Sequence, residues 1–276
     1  MKHWISLFAV AAGLLAATTA TRAFDETKYP DFKGQWVRVG TPRWVEEDRW
    51  NLNAPMTPEY KAIHAANLAD MQAGGQGTDP TYMCLAPGMP RSMNAYSEME
   101  VVVTSETTYI LIDYIHDNRR IYTDGRDWPT DLDPTFAGYS IGQWVDRDGD
   151  GRYDMLEVET RGFKGPRTFD ESGLPLHSDN QTIVKEKIYL DTADPNLLHD
   201  EITTIDDALL HPWTILKSYR RSADKPPVWP EFICMESNQH AHIGKDDYFL
   251  SADGFLMPTR KGQAPPNLKY FDQTQK

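Results

Sequence analysis

Residues 98–123 read EMEVVVTSETTYILIDYIHDNRRIYT, and this stretch decides the fold. Its β-branched and aromatic residues form three short runs, which polar residues interrupt at 105–106 and at 116–118. Runs of this length and composition, bounded by turn residues, predict β-strands. Because the connections between them are short, neighbouring strands should be antiparallel.

The same pattern extends in both directions along the chain. Further strand candidates are residues 34–39, 139–145, 154–161, 180–190, 197–205, 213–221 and 229–235. Strands and helices do not alternate, so a parallel α/β sheet is disfavoured. Eight or nine meandering strands must protect their edges, and closure into a barrel removes those edges. The sequence therefore predicts a mainly β, antiparallel, lipocalin-like barrel of eight to nine strands, with a β-sandwich as the alternative. The Gly34-x-Trp36 pair resembles the lipocalin signature, in which a Trp closes one end of the barrel.

One helix is predicted before the main run of strands. Thr57 is a good N-cap, Pro58 suits the first helical position, and Gly74-Gly75 ends the periodic segment. This helix lies in a helical and loop extension over residues 24–97. We expect residues 24–276 to form a single domain.

The first 23 residues have the three regions of a secretory signal peptide. A basic start at Lys2 precedes an apolar run over residues 4–17, and Thr21-Arg22-Ala23 supplies small residues for cleavage. The apolar run is shorter than the about 20 residues that cross a bilayer. We therefore predict cleavage after Ala23 and an exported protein, periplasmic or secreted, with no stable membrane insertion.

The charge of the exported chain argues against two kinds of partner, nucleic acids and anionic membranes. The full sequence has 28 basic and 41 acidic residues, and removal of residues 1–23 takes away only Lys2 and Arg22. The remainder has a net charge of −15. Nucleic acids and anionic membranes bind basic surfaces, so neither is an expected partner. With 8 Trp, 13 Tyr and 10 Phe, the chain has aromatic bulk for a core or for a small-molecule pocket.

The chain has two cysteines, Cys84 and Cys234. Export would place them in an oxidising compartment, where paired cysteines usually form a disulfide. We therefore predict a disulfide between the early and late parts of the fold. Two buried free thiols are the alternative.

Residues 146–157, DRDGDGRYDMLE, match the pattern of a calcium-binding loop. Calcium prefers several oxygen ligands, and a glycine at the sixth position permits the sharp turn around the ion. The flanking segments resemble strands, which favours a calcium-loaded hairpin over a helix–loop–helix unit. A plain Asp/Gly hairpin turn is the alternative. The predicted structural metal ligands are Asp146, Asp148, Asp150, Asp154 and Glu157.

Residues 119–126, RRIYTDGR, form the densest polar segment on a predicted strand. Strand alternation places Arg120, Tyr122 and Asp124 on one face and Arg119 on the other. A charged side chain inside a barrel needs a partner, so the segment predicts either an ion-pair network or an anion-binding site. We take Arg120, Asp124 and Arg126 as catalytic candidates and Tyr122 as a binding candidate.

Two further residues could transfer protons. Glu186 shares a strand face with Val184 and Ile188, so it should point inward; a buried carboxyl has a raised pKa and can act as a general acid or base. A salt bridge from Glu186 to one of the arginines of 119–126 is the alternative. His177 lies on a loop and could act as a general base at the barrel mouth, although loop histidines are commonly surface residues.

Several motifs together resemble an uncharacterised family of exported bacterial β-rich proteins. The matching segments are CLAPGMPR at 84–91, residues 119–126, GYSIGQW at 138–144, LEVET at 156–160, HS at 177–178, PWT at 212–214 and C-x-E-x-N at 234–238. The resemblance implies an exported β-rich protein and marks Arg120, Asp124, Arg126, His177 and Glu236 as candidate site residues. It implies no reaction. This chain departs from the family by the insertion at 146–154 and by Met235. We add Trp213 and Glu236 to Tyr122 as candidate binding residues.

Three functions follow as hypotheses. The first is an enzyme without an organic cofactor, a lyase, hydratase or isomerase, that moves a proton on a small, partly apolar molecule inside the barrel. The second is a periplasmic binding or carrier protein for a similar ligand. The third is a calcium-stabilised structural protein of the cell envelope.

Overall fold

A computed structural model describes residues 24–114, 118–223, 227, 229, 232, 234, 240–243, 245–250 and 255–266. The predicted signal peptide at 1–23 and the binding candidate Glu236 lie outside the described residues. In the described part of the chain, no helix is both long enough and apolar enough to cross a membrane.

Nine strands close into a barrel in the order of the chain. They are β1 (Gln35–Arg38), β2 (Met99–Val103), β3 (Thr107–Ile112), β4 (Arg119–Tyr122), β5 (Tyr139–Val145), β6 (Met155–Arg161), β7 (Ile183–Leu190), β8 (Leu197–Ile205) and β9 (Trp213–Arg221). The barrel closes where β1 pairs with β9. The predicted barrel is confirmed, and its strand number lies within the expected range.

One strand pair departs from the predicted antiparallel order. β4 and β5 are parallel, and only Ile121 and Tyr122 of β4 pair with β5. A parallel pair needs a long connection that returns the chain to the same end of the sheet. Residues 123–138 supply it, where a hairpin turn could not.

The chain has elements outside the barrel wall. Helix α1 (Pro58–Gln72) begins after Thr57, whose side chain accepts a hydrogen bond from the Tyr60 N–H, and this confirms the predicted helix start. Three strands that the sequence did not predict form a second sheet, β10 (His240–Ile243), β11 (Asp246–Leu250) and β12 (Leu256–Pro258).

The barrel strands alternate between buried and exposed residues, as the strand period of two requires. The buried residues form one hydrophobic cluster, which also includes Phe32, Trp44 and Tyr60 from the parts of the N-terminal extension outside the barrel wall. The extension therefore packs into the same core as the barrel.

The two cysteines join distant parts of the chain. Cys84 and Cys234 form the predicted disulfide across a separation of 150 residues. A disulfide of this span restricts the unfolded chain strongly, which is the main way in which such bonds stabilise a fold.

Candidate functional site

The barrel interior holds a fully buried ion pair. Arg119 of β4 donates to both carboxylate oxygens of Glu186 on β7, with Nη1–Oε1 at 2.8 Å and Nη2–Oε2 at 2.6 Å. The two side chains are 1% and 0% exposed. Such a two-point pair fixes both side chains in orientation as well as in charge. The inward position predicted for Glu186 is confirmed, and its partner is Arg119.

A second carboxyl group lies beside this pair. Asp200 of β8 is 0% exposed, and its carboxyl group lies within hydrogen-bonding reach of the Glu186 carboxylate. Burial raises the pKa of Asp200 well above its usual value, and the nearby negative charge of Glu186 raises it further. The interior therefore favours the neutral, protonated form of Asp200.

Strand β9 adds two titratable groups to the same interior. Tyr219 is fully buried, its hydroxyl donates to the Met93 carbonyl, and burial raises its pKa. Lys217 pairs in register with Asp200, and its Nζ donates to the backbone carbonyl of Trp44 at 3.0 Å. Burial lowers the pKa of Lys217 to about 8.

We call this group of titratable side chains the interior site (Arg119, Glu186, Asp200, Lys217 and Tyr219). It places a carboxyl group whose pKa is raised next to a carboxylate that an arginine holds in place. Enzymes that use acid–base chemistry often pair two carboxyl groups in this way, so that one favours its protonated form and the other its ionised form.

The candidates named in the 119–126 segment point away from the barrel core. Arg120 is exposed, because the register that turns Arg119 inward turns its neighbour outward. Asp124 and Arg126 form an ion pair at 2.6 Å with partly exposed side chains, and the Arg126 guanidinium lies 3.9 Å from the centre of the Tyr122 ring. Tyr122, Asp124 and Arg126 therefore form a surface cluster.

His177 lies at a third position. Its Nδ1 is 2.9 Å from an oxygen of Asp179, and its ring packs against Tyr60 with the ring centres 5.0 Å apart. The hydrogen bond to Asp179 raises the pKa of His177. His177, Asp179 and Asp207 bring possible metal-ligand atoms within 4.8 Å of one another. The described bonds of His177 go to Asp179 and Asp206, whereas those of Glu186 go to Arg119, so no described bond links these two proton-transfer candidates.

The aspartate loop gathers three of its five predicted ligands. Asp146, Asp148 and Asp150 have carboxylate oxygens within 4.8 Å of one another. Asp154 instead bonds to Arg147 at 2.8 Å, and Glu157 lies within β6 opposite Lys187. The calcium site stays a prediction, with a smaller set of candidate ligands than the motif suggested.

Sequence reasoning missed the carboxyl group of Asp200. The sequence contained the signal, since Asp200 shares a strand face with the apolar Leu198 and Ile202, just as Glu186 shares one with Val184 and Ile188. The binding candidate Trp213 is half-buried and packs against Phe169 and Trp44, with ring centres 5.2 and 6.2 Å apart. No protein-family model, curated protein or solved structure matches this chain.

Proposed function

We propose that this protein is an exported enzyme that moves a proton on a small, partly apolar molecule at the interior site, as a lyase, hydratase or isomerase. Asp200 would give the proton, and Glu186 would act as the fixed carboxylate. The observation that supports this most is Asp200 itself, a fully buried carboxyl group beside an arginine-held carboxylate.

The two buried carboxyl groups depend on each other. Close negative charges disfavour two ionised carboxylates, so Asp200 keeps its proton and directs it towards Glu186. A polar substrate atom that enters between the two groups would take over the hydrogen bond of that proton.

The proposed chemistry balances within the site. In an isomerisation, Asp200 gives its proton to one substrate atom and Glu186 removes a proton from another. The proton count of substrate and protein is unchanged, so no outside reagent is required. Arg119 keeps the Glu186 carboxylate oriented, as a bidentate guanidinium does.

A binding or carrier protein is the second candidate. Arg119 already donates to both oxygens of Glu186. A carboxylate held in this way could orient a bound ligand as well as it could remove a proton. Arg119, Glu186 and Asp200 are 1%, 2% and 0% exposed, so a small molecule reaches them only when the side chains that cover them move.

The two candidates differ in what happens to the bound molecule. Residues 24–276 would be incubated in D₂O with small ketones, unsaturated acids and terpenoid acids, and proton NMR would follow C–H exchange and water addition. We expect exchange with at least one compound and a loss of about 10²-fold or more in Asp200→Asn and Glu186→Gln.

The control is Asp191→Asn, which changes a partly exposed carboxylate just after β7 and should retain the wild-type rate. Saturable binding without exchange would support the carrier instead. If no compound exchanges, or if Asp200→Asn exchanges as fast as the wild type, proton transfer at the interior site is refuted.

A further inference from the structure

A polar groove crosses the outer face of the barrel, on the opposite side of the barrel wall from the interior site. It has a volume of about 980 Å³. Val158 pairs in register with Gly142 on one neighbouring strand and with Glu186 on the other. Because Val158 and Glu186 are buried with their side chains turned inward and Gly142 has no side chain, their backbones form the floor of the groove. We call this groove, which crosses β5 to β8, the outer trench.

Two rows of outward side chains form the walls of the trench. Strand register places Gln143, Glu157, Lys187 and Glu201 in one row. The second row contains Ile141, Glu159, Lys185 and Thr203. Neighbouring strands lie about 4.8 Å apart, so a trench across four strands is about 14 Å or more long. It suits an extended molecule with several polar groups.

The charges of the trench are internally balanced. Lys187 lies 3.3 Å from Glu201, and Lys185 lies 3.4 Å from Glu159. Arg161 also pairs with Glu159. The two lysines and Arg161 therefore all have an anionic partner, so the trench offers many hydrogen-bond donors and acceptors but little net charge.

An aromatic side chain marks one side of the trench. The Arg161 guanidinium lies 4.9 Å from the centre of the Trp128 ring, and both residues line the trench. A ligand there would find an aromatic side chain beside charged hydrogen-bonding groups.

We propose that the outer trench binds a neutral, linear oligosaccharide. Sugar hydroxyls both donate and accept, so they pair with ion-paired carboxylates and ammonium groups without requiring net charge. Aromatic side chains are amphipathic and offer an apolar surface next to polar groups, which matches the mixed surface of a sugar ring. A strongly anionic or cationic ligand would have to displace the existing ion pairs, and a purely apolar ligand would leave the charged walls unsatisfied.

The test measures binding of cellohexaose, maltohexaose, xylohexaose and chitohexaose to residues 24–276 by saturation-transfer NMR and calorimetry. A galacturonic acid oligomer serves as the anionic comparison. We expect at least one neutral oligosaccharide to bind, and Trp128→Ala and Lys187→Ala each to weaken it by about ten-fold, which corresponds to about 1.4 kcal/mol.

A matched control lies elsewhere on the surface. Arg49 lies over the ring of the exposed Trp50 at 4.7 Å, so Trp50→Ala removes a similar cation–aromatic pair outside the trench and should leave the affinity unchanged. Trp128→Phe keeps an aromatic ring and checks that a loss in Trp128→Ala does not come from misfolding. The proposal is overturned if no neutral oligosaccharide binds, if only the anionic oligomer binds, or if neither trench variant weakens binding.

Discussion

Replacement of Asp200 by Asn tests the protonation of the interior directly. An unfolded Asp has a pKa of about 3.9, whereas burial raises the pKa of folded Asp200 well above its usual value. When the pH lies between these two pKa values, the protein takes up about one proton as it folds. The free energy of unfolding of the wild type should therefore fall by about 1.4 kcal/mol for each pH unit in that window.

Asparagine has nearly the same shape as a protonated aspartate but cannot ionise. Relative to Asp200→Asn, the wild type should lose stability as the pH rises from 5 to 7, with a slope of up to about 1.4 kcal/mol for each pH unit below the folded pKa of Asp200. The stability falls with rising pH because the folded pKa of Asp200 is the higher one. The contribution of protonated Asp200 to stability is complete below about pH 3.9 and is lost as the pH rises through the folded pKa. Urea unfolding at constant ionic strength, followed by Trp fluorescence, measures the difference.

Asp194→Asn is the control with the opposite shift. The hydrogen bonds from the Arg220 side chain and the Asn196 backbone N–H lower the pKa of Asp194, so its contribution is lost only in acid. Between pH 5 and pH 7 this variant should be less stable than the wild type by a constant amount. If the curves of Asp200→Asn and wild type run parallel over the same range, Asp200 is ionised in the fold and the acid role proposed for it fails.

Three further predictions concern the other charged groups. Arg119→Met should lower the free energy of unfolding in urea by about 3–5 kcal/mol, because it leaves the Glu186 carboxylate buried without its partner. The added change Glu186→Leu should recover most of that loss. An unchanged stability of Arg119→Met would contradict the buried pair. In NMR titrations, Asp179→Asn should lower the pKa of His177 towards its ordinary value; an unchanged pKa would show that Asp179 does not hold the imidazolium. Calcium should raise the melting temperature, and replacement of the three aspartates within 146–150 by asparagine should abolish the rise; an equal rise in that variant would place any calcium elsewhere.

The strands of the barrel were predictable because their alternation is strong. β8 and β9 begin and end where residues 197–205 and 213–221 predicted. The parallel pairing of β4 with β5 was not predictable, since nothing in residues 123–138 distinguishes a crossing connection from a long hairpin loop. The three strands of the second sheet were missed altogether.

The candidate site was only partly predictable, because alternation defines two faces of a strand without identifying the inner one. For Glu186, the apolar neighbours on its face identified the interior correctly. The 119–126 segment offered charged residues on both faces, and the choice of Arg120 overlooked Arg119 as the inward residue. Which arginine meets Glu186 depends on strand register, and this depends on contacts between segments far apart in sequence.

The interior site is difficult to explain as a stabilising feature. A buried ion pair is weak evidence for stability, because apolar side chains of similar volume often serve as well or better once desolvation is counted. Here the barrel buries two carboxyl groups around one arginine, and burial together with the charge of Glu186 raises the pKa of the second carboxyl, that of Asp200. Burial of Asp200 makes folding less favourable as the pH rises, as the comparison with Asp200→Asn would measure. A group that weakens the fold at neutral pH but holds a proton beside an oriented carboxylate is better suited to act on a bound molecule than to support the barrel.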